Sequence, residues 1–149
     1  MCIRDRYRKT LSEYGIEPVD IAGSAEICPG VWSTGVLDRG TPEQSLVIAT
    51  DRGAVVVTGC AHPGIVDITA RARDIVQRDP LLVMGGFHLG QADRAELERV
   101  VSSLKELGVR YVAPSHCTGG DAIEAFRKSF GERFIEGGAG MIHEIGNLE

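Results

Sequence analysis

The sequence has no basic excess, no long apolar run and no close pair of cysteines, and each absence closes off a class of function. Lys and Arg number 16 against 21 Asp and Glu, for a net charge of −5 and a pI near 5.4. A nucleic-acid surface needs a basic face to meet phosphates, so no nucleic-acid partner is expected. No apolar stretch approaches the roughly 20 residues of a membrane span, so no membrane partner is expected either. The opening MCIRDRYRKT has charge but no apolar core of a signal peptide. The four cysteines, Cys2, Cys28, Cys60 and Cys117, show no close-paired spacing. That favours free thiols in a reducing, cytoplasmic setting over a disulfide framework. No internal repeat or low-complexity segment is present. What remains, 43% hydrophobic and 25% charged residues, is the composition of a soluble globular domain long enough to bury a core.

Residues 1–44 are weakly patterned: GVLDRGTPEQ reads as loop, and DIAGSAEICPGVWST as one or two short strands. From Ser45 the pattern sharpens. SLVIAT and AVVVTG are β-rich runs joined by a hairpin turn at Asp51-Arg52-Gly53. Ile65, Ile68, Ala72, Ile75 and Val76 recur at helical spacing, with Pro80 helping to end that helix. LLVMGG is a continuous apolar run, as in a strand buried on both faces. Asp93 and Glu96 have capping-box spacing ahead of a helix carrying Leu97, Val100, Val101, Leu104 and Leu107, and Gly108 is a natural stop. VRYVAP is the next strand, DAIEAFRKSF a helix closed by Gly131, and RFIE and GMIHEI finish the sheet. Strands alternating with helices require crossover connections and a partly parallel sheet. The fold class is therefore α/β, or α+β with layered sheets.

Three of the four histidines follow strands in this scheme. With strands at 54–59, 81–85 and 109–113, His62, His88 and His116 each stand three residues past a strand end. Parallel strands end on one edge of a sheet, where ligands of open α/β sheets bind. The imidazoles should then gather on one rim, with Cys60 and Cys117 beside two of them. Gly59, Gly64, Gly86 and Gly119 let the backbone turn and approach a ligand there. Clustered imidazoles suit a divalent transition metal, zinc before iron or nickel. Cys60 is either a soft ligand or nucleophile, or a small buried residue at a tight turn. Cys117 reads as packing rather than a catalytic thiol, and His143 as a strand residue outside the site. Asp67 favours a helix N-terminus, and Asp121 serves as a cap.

VVVTGCAHPGI, LLVMGGFHL and VAPSHCTGG, in that order, resemble the C-terminal half of metallo-β-lactamase-fold hydrolases. The branch they look most like is named after the archaeal dihydropterin ribofuranosylaminobenzene 5′-phosphate synthase. The resemblance runs from about Ile27 to Gly140 and implies half of a four-layer αβ/βα fold with a metal site at the sheet edge. It implies that His116 is the family's last histidine ligand. It also implies that His62 supplies the ligand other branches take from a GHTPG loop, since DRGTPEQSL here holds no histidine. Cys60 falls near the family's bridging aspartate, and His88 is a second-metal ligand or a substrate contact. The family's HxHxDH motif is absent. MCIRDR resembles a leader that recurs in fragmentary translations. Residues 1–6 are therefore read as non-native and 7–149 as a partial domain.

These readings converge on a fragment of a metal-dependent hydrolase. In the intact protein, one or two ions would supply a metal-bound hydroxide to attack an ester or phosphoester of a small molecule. No catalytic residue is assigned, and little activity is expected of the chain alone. The alternatives are a metal-binding or oxidoreductase module of the same fold, or a non-enzymatic fragment needing a partner half. A missing half would leave an apolar patch or an unpaired edge strand in SLVIAT or AVVVTG.

Overall fold

The computed structural model describes residues 3–148. Its first element is α1 (Ile3–Glu13). Two short strands follow, β1 (Ala25–Cys28) and β2 (Val31–Ser33), then β3 (Leu46–Thr50) and β4 (Gly53–Thr58). After β4 come α2 (Ile65–Val76), β5 (Pro80–Gly86), α3 (Arg94–Glu106), β6 (Tyr111–Ser115) and α4 (Gly120–Phe130). Six strands form one sheet in chain order. β1 through β4 pair antiparallel, as a meander, and β4, β5 and β6 pair parallel. The mixed α/β architecture expected from the alternating pattern is the one observed.

The register explains the core. Val47 pairs with Val56, Val56 with Val83, and Val83 with Val112. This row of four valines crosses four strands, and each is fully buried. Side chains on a strand alternate between faces, so the row defines the helix-covered face. Ile65, Ile68 and Ala72 of α2 pack on it, with Leu97, Val101 and Leu104 of α3 and Phe126 and Phe130 of α4. Each valine so buried contributes roughly 1.5–3 kcal/mol of hydrophobic stabilisation. α3 begins where the capping box predicted, with the Asp93 carboxylate accepting from the Glu96 N–H at 2.7 Å. Gly108, at φ 83°, carries the chain out of α3 in a left-handed conformation that costs glycine little.

The opposite face is covered unevenly. Val55, Leu82 and Ala113 are buried beneath Ile135, Ile145 and Leu148 of the C-terminal segment. Leu46 and Ile48 of β3, the cross-strand partners of Val57 and Val55, stay 42% and 36% exposed, beside exposed Ile27 of β1. Exposed apolar side chains thus lie on β3. Neither run is an unpaired edge: β3 and β4 each have neighbours on both sides, because residues 25–33 add two strands outside them.

Several boundaries differ from the sequence reading. β6 begins at Tyr111 because the Val109 N–H is taken by the Leu104 carbonyl, finishing the helix turn. It continues through Pro114 to Ser115 because β6 pairs on one side and an edge strand tolerates proline. α2 ends at Val76 with Gln77 in the left-handed region, its N–H on the Arg73 carbonyl, and Pro80 opens β5 instead. RFIE gives only an isolated bridge, Phe134 to Val112. GMIHEI forms no strand: it runs irregularly into a 3₁₀ turn at Ile145–Asn147 and folds over the second face. Asp121 sits inside the first turn of α4, and the cap position is Gly119, with no side-chain cap. Asp67 does lie in the first turn of α2 and pairs with Arg39 at 2.6 Å.

Candidate metal centre

The parallel register brings the ends of β4, β5 and β6 to one edge, where Thr58 pairs with Gly85 and Gly85 with Pro114. The three connections that leave this edge carry His62, His88 and His116. Their offsets from the strand ends are unequal, since β4 stops at Thr58, β5 at Gly86 and β6 at Ser115. The shared edge, rather than a matched offset, places them together.

Each loop is built to push its histidine outward. In the first, Ala61 and Pro63 are buried and His62 between them is only half-buried. In the second, Phe87 and Leu89 are 1% and 8% exposed, and His88 between them faces solvent. Phe87 meets the ring of Phe126 edge-on at 5.3 Å. In the third, Pro114 and Thr118 are buried and His116 is exposed. Ala61, His88 and His116 all have positive φ, at 61°, 52° and 49°. Such backbone is uncommon outside glycine and concentrates at functional sites.

The loops are bound to one another. Thr58 Oγ1 donates to the Gly86 carbonyl at 2.9 Å, and the Gly86 N–H donates to the Gly59 carbonyl at 2.9 Å. Thr118 Oγ1 accepts from the Phe87 N–H and donates to the Ser115 carbonyl. A Cβ on Gly119 would stand 2.6 Å from Gly90 Cα, so these two backbones touch.

The donors form two adjoining groups. The rings of His62 and His88 lie 4.5 Å apart, tilted by 54°. Cys60, His116 and Cys117 make the second group, with one ligand atom of each within 4.8 Å of the others. The Cys117 thiol also donates to the Cys60 carbonyl at 3.5 Å. His62 and His88 are thus in contact with each other, while His116 converges with the two thiols, and the Cys60-Ala61-His62 loop carries a member of each group. Burial, then the adjacent Cys117 thiol and the Glu43 charge, push the Cys60 thiol up from its ordinary value. A thiolate–imidazole set is sound chemistry for a divalent transition metal, whose own charge reverses that effect. His143 lies in the irregular segment before the last turn, not in a strand, and belongs to neither group. Cys28, Cys60 and Cys117 are free thiols, and Cys2 lies outside the described residues.

Glu43 is the site residue that the sequence reading passed over. Its carboxylate, 15% exposed, accepts from the N–H groups of Cys60, Ala61 and His62 at 2.8, 3.1 and 2.9 Å. It also lies 3.0 Å from Nδ1 of His62. Burial opposes its ionisation, but these N–H donors outweigh it and hold the carboxyl below its ordinary range. The stretch that holds it reads as loop and has no histidine, and nothing local in it marks a site residue.

Beside the donors, a cleft of about 560 Å³ is lined by His88, Gly90, Gln91, Ala92, Glu96 and Cys117. A larger groove of about 900 Å³ between α3 and α4 includes none of the donors.

Comparison with solved structures finds this fold in a larger protein. The crystal structure of Tm1679, a metal-dependent hydrolase of the beta-lactamase superfamily, superposes with a TM-score of 0.76 at 29% identity. The match covers 91% of this chain and 60% of that one. The chain has the metallo-β-lactamase fold. Among curated proteins, the 7,8-dihydropterin-6-methyl-4-(beta-D-ribofuranosyl)-aminobenzene-5'-phosphate synthase of Methanocaldococcus jannaschii is 39% identical over 108 residues. That is the branch the three loop motifs resemble. The match takes in 72% of this chain and 37% of the synthase. An uncharacterized protein of the same organism, MJ0448, is 30% identical over 88 residues, or 59% of this chain and 32% of its own length. The chain thus spans about a third of each curated relative. No family model matches it. The metallo-β-lactamase fold here is one that a metal-dependent enzyme uses, and the rim has a group of side chains able to hold a metal. Among the described residues, no helix is long and apolar enough to cross a membrane.

Proposed function

We propose that the rim loops hold divalent metal and that, in the whole protein, the site acts on an ester or phosphoester bond of a small molecule. The observation that carries this reading is the convergence of Cys60, His116 and Cys117 within 4.8 Å at the end of parallel strands. In this proposal His116 is a ligand with Cys60, and His62 and His88 hold a second ion or contact the substrate. Zinc suits such a donor set, and free thiols at the centre suit a reducing, cytoplasmic compartment. A bound ion would supply Lewis-acid polarisation of the electrophile and a water of lowered pKa. The chain's own residues do the rest. Buried Phe87 and Leu89 fix His88 at the mouth of the cleft, and Thr118 locks the second loop to the third. The cleft's size fits a small-molecule substrate.

The test is zinc titration by calorimetry on the wild type, His116→Ala and His143→Ala. His116→Ala should lose most of the binding and His143→Ala little of it. Equal binding in the wild type and His116→Ala would remove His116 as a ligand. The chain contributes only part of the ligand set that the family uses, so hydrolysis of a generic phosphoester by the chain alone should be negligible. The proximity of the two thiols favours a second reading, a metal-binding or redox module. Retained metal without hydrolysis in the full-length protein would support that reading instead.

A further inference from the structure

We infer that Glu43 is the positioning residue of the first rim loop, fixing both the path of Cys60-Ala61-His62 and the tautomer of His62. The second half of this inference rests on reading the rim as a metal site. Glu43 reaches the loop from the connection between β2 and β3, and its own backbone is held there. Its N–H donates to the Leu37 carbonyl at 3.1 Å and its carbonyl accepts from the Leu37 N–H at 2.9 Å. From that anchor Oε1 takes the N–H groups of Cys60 and Ala61, and Oε2 takes that of His62. Successive N–H groups turned to one side form a concavity suited to an anion, and the left-handed Ala61 gives the loop that shape here. The carboxylate fills it. Gly59 is part of the arrangement, because a Cβ there would stand 2.8 Å from Glu43 Oε1.

The consequence for His62 follows from donor and acceptor counts. An ionised carboxylate only accepts hydrogen bonds. With Oε2 at 3.0 Å, Nδ1 of His62 must therefore carry the proton. In the neutral ring, Nε2 then holds the free lone pair, which is the form a metal ligand needs. A histidine whose second nitrogen donates to a carboxylate is oriented and made more basic, and loss of that partner typically weakens metal binding about 10–100-fold. Glu43 touches no reacting atom in this scheme; it acts through His62 and the loop.

The experiment reads the imidazole ¹⁵N shifts of the metal-free chain at alkaline pH, for wild type and Glu43→Ala, followed by cobalt(II) titration of both. The expected wild-type signature is protonation at Nδ1. Glu43→Ala should move the proton to Nε2 and weaken cobalt binding by about 10–100-fold. A wild-type His62 protonated at Nε2 overturns the inference, and this measurement stands even if Glu43→Ala does not fold. A folded Glu43→Ala with unchanged tautomer and affinity within about twofold, well short of that loss, overturns it too, leaving a merely structural role. Nδ1 protonation in a chain that takes up no cobalt would remove the metal reading and leave Glu43 as the residue that sets the tautomer.

Discussion

Replacing Gly86 with alanine would insert a methyl group at the point where two rim loops meet. The added Cβ would lie 2.6 Å from the Gly59 carbonyl oxygen, 2.9 Å from Cys117 Sγ and 3.2 Å from Cys60 Cα. Ordinary contacts begin at 3.4 Å. The Cys117 side chain can rotate away, but the Gly59 carbonyl cannot: it accepts the Gly86 N–H at 2.9 Å. The β4 and β5 ends must separate, at a cost of about 1–3 kcal/mol for overpacking. Weakening of that hydrogen bond adds about 1 kcal/mol. The sum, roughly 2–4 kcal/mol, corresponds to a fall in melting temperature of roughly 4–16 °C for a chain of this size. Urea unfolding followed by circular dichroism measures it. Gly120→Ala is the control, since nothing lies within 4 Å of its added Cβ, and it should be neutral or stabilise by up to about 1 kcal/mol. Because the added methyl stands against both Cys60 Cα and Cys117 Sγ, zinc affinity should fall with stability in Gly86→Ala. Equal unfolding midpoints for wild type and Gly86→Ala would show that the strand ends are not packed as described.

Two further outcomes follow from local interactions. Asp93→Ala removes the cap of α3 and leaves the Glu96 N–H without its 2.7 Å acceptor; a loss of about 1 kcal/mol in urea unfolding is expected, and no loss would mean that the cap is idle. Glu43 has a folded-state pKa below its ordinary 4.5, so the unfolded chain takes up its proton first as pH falls. Its contribution to stability is complete above the unfolded value and disappears as pH drops through the folded one. The metal-free wild type should therefore lose more stability than Glu43→Gln across that acid interval; parallel pH profiles would contradict the assignment.

From Ser45 onward the sequence alone determined most of the framework. The β-rich runs of β3 and β4 and the apolar run of β5 mark strands, and the helical spacing in α2 and α3 reports which side of each helix faces the core. That information is local, because side-chain direction repeats within a few residues. The shared rim was legible for the same reason: helices between strands force parallel pairing, and parallel strands end together. What tertiary structure alone decided is long-range. Glu43 lies in a stretch with no periodicity, and its partners at 60–62 are 17 to 19 residues away in sequence. Only the antiparallel pairing of β3 with β4 brings that connection against the rim. Which donors meet, His62 with His88 and His116 with the two thiols, likewise depends on loop shape, set by positive φ at Ala61, His88 and His116 and by the backbone contact of Gly90 with Gly119. The C-terminal residues read as strands because GMIHEI is apolar. Most of the segment makes no ladder, and Ile145 and Leu148 instead cover Val55, Leu82 and Ala113. Apolar pattern says that a residue is to be buried; which surface buries it is fixed only when the sheet has formed.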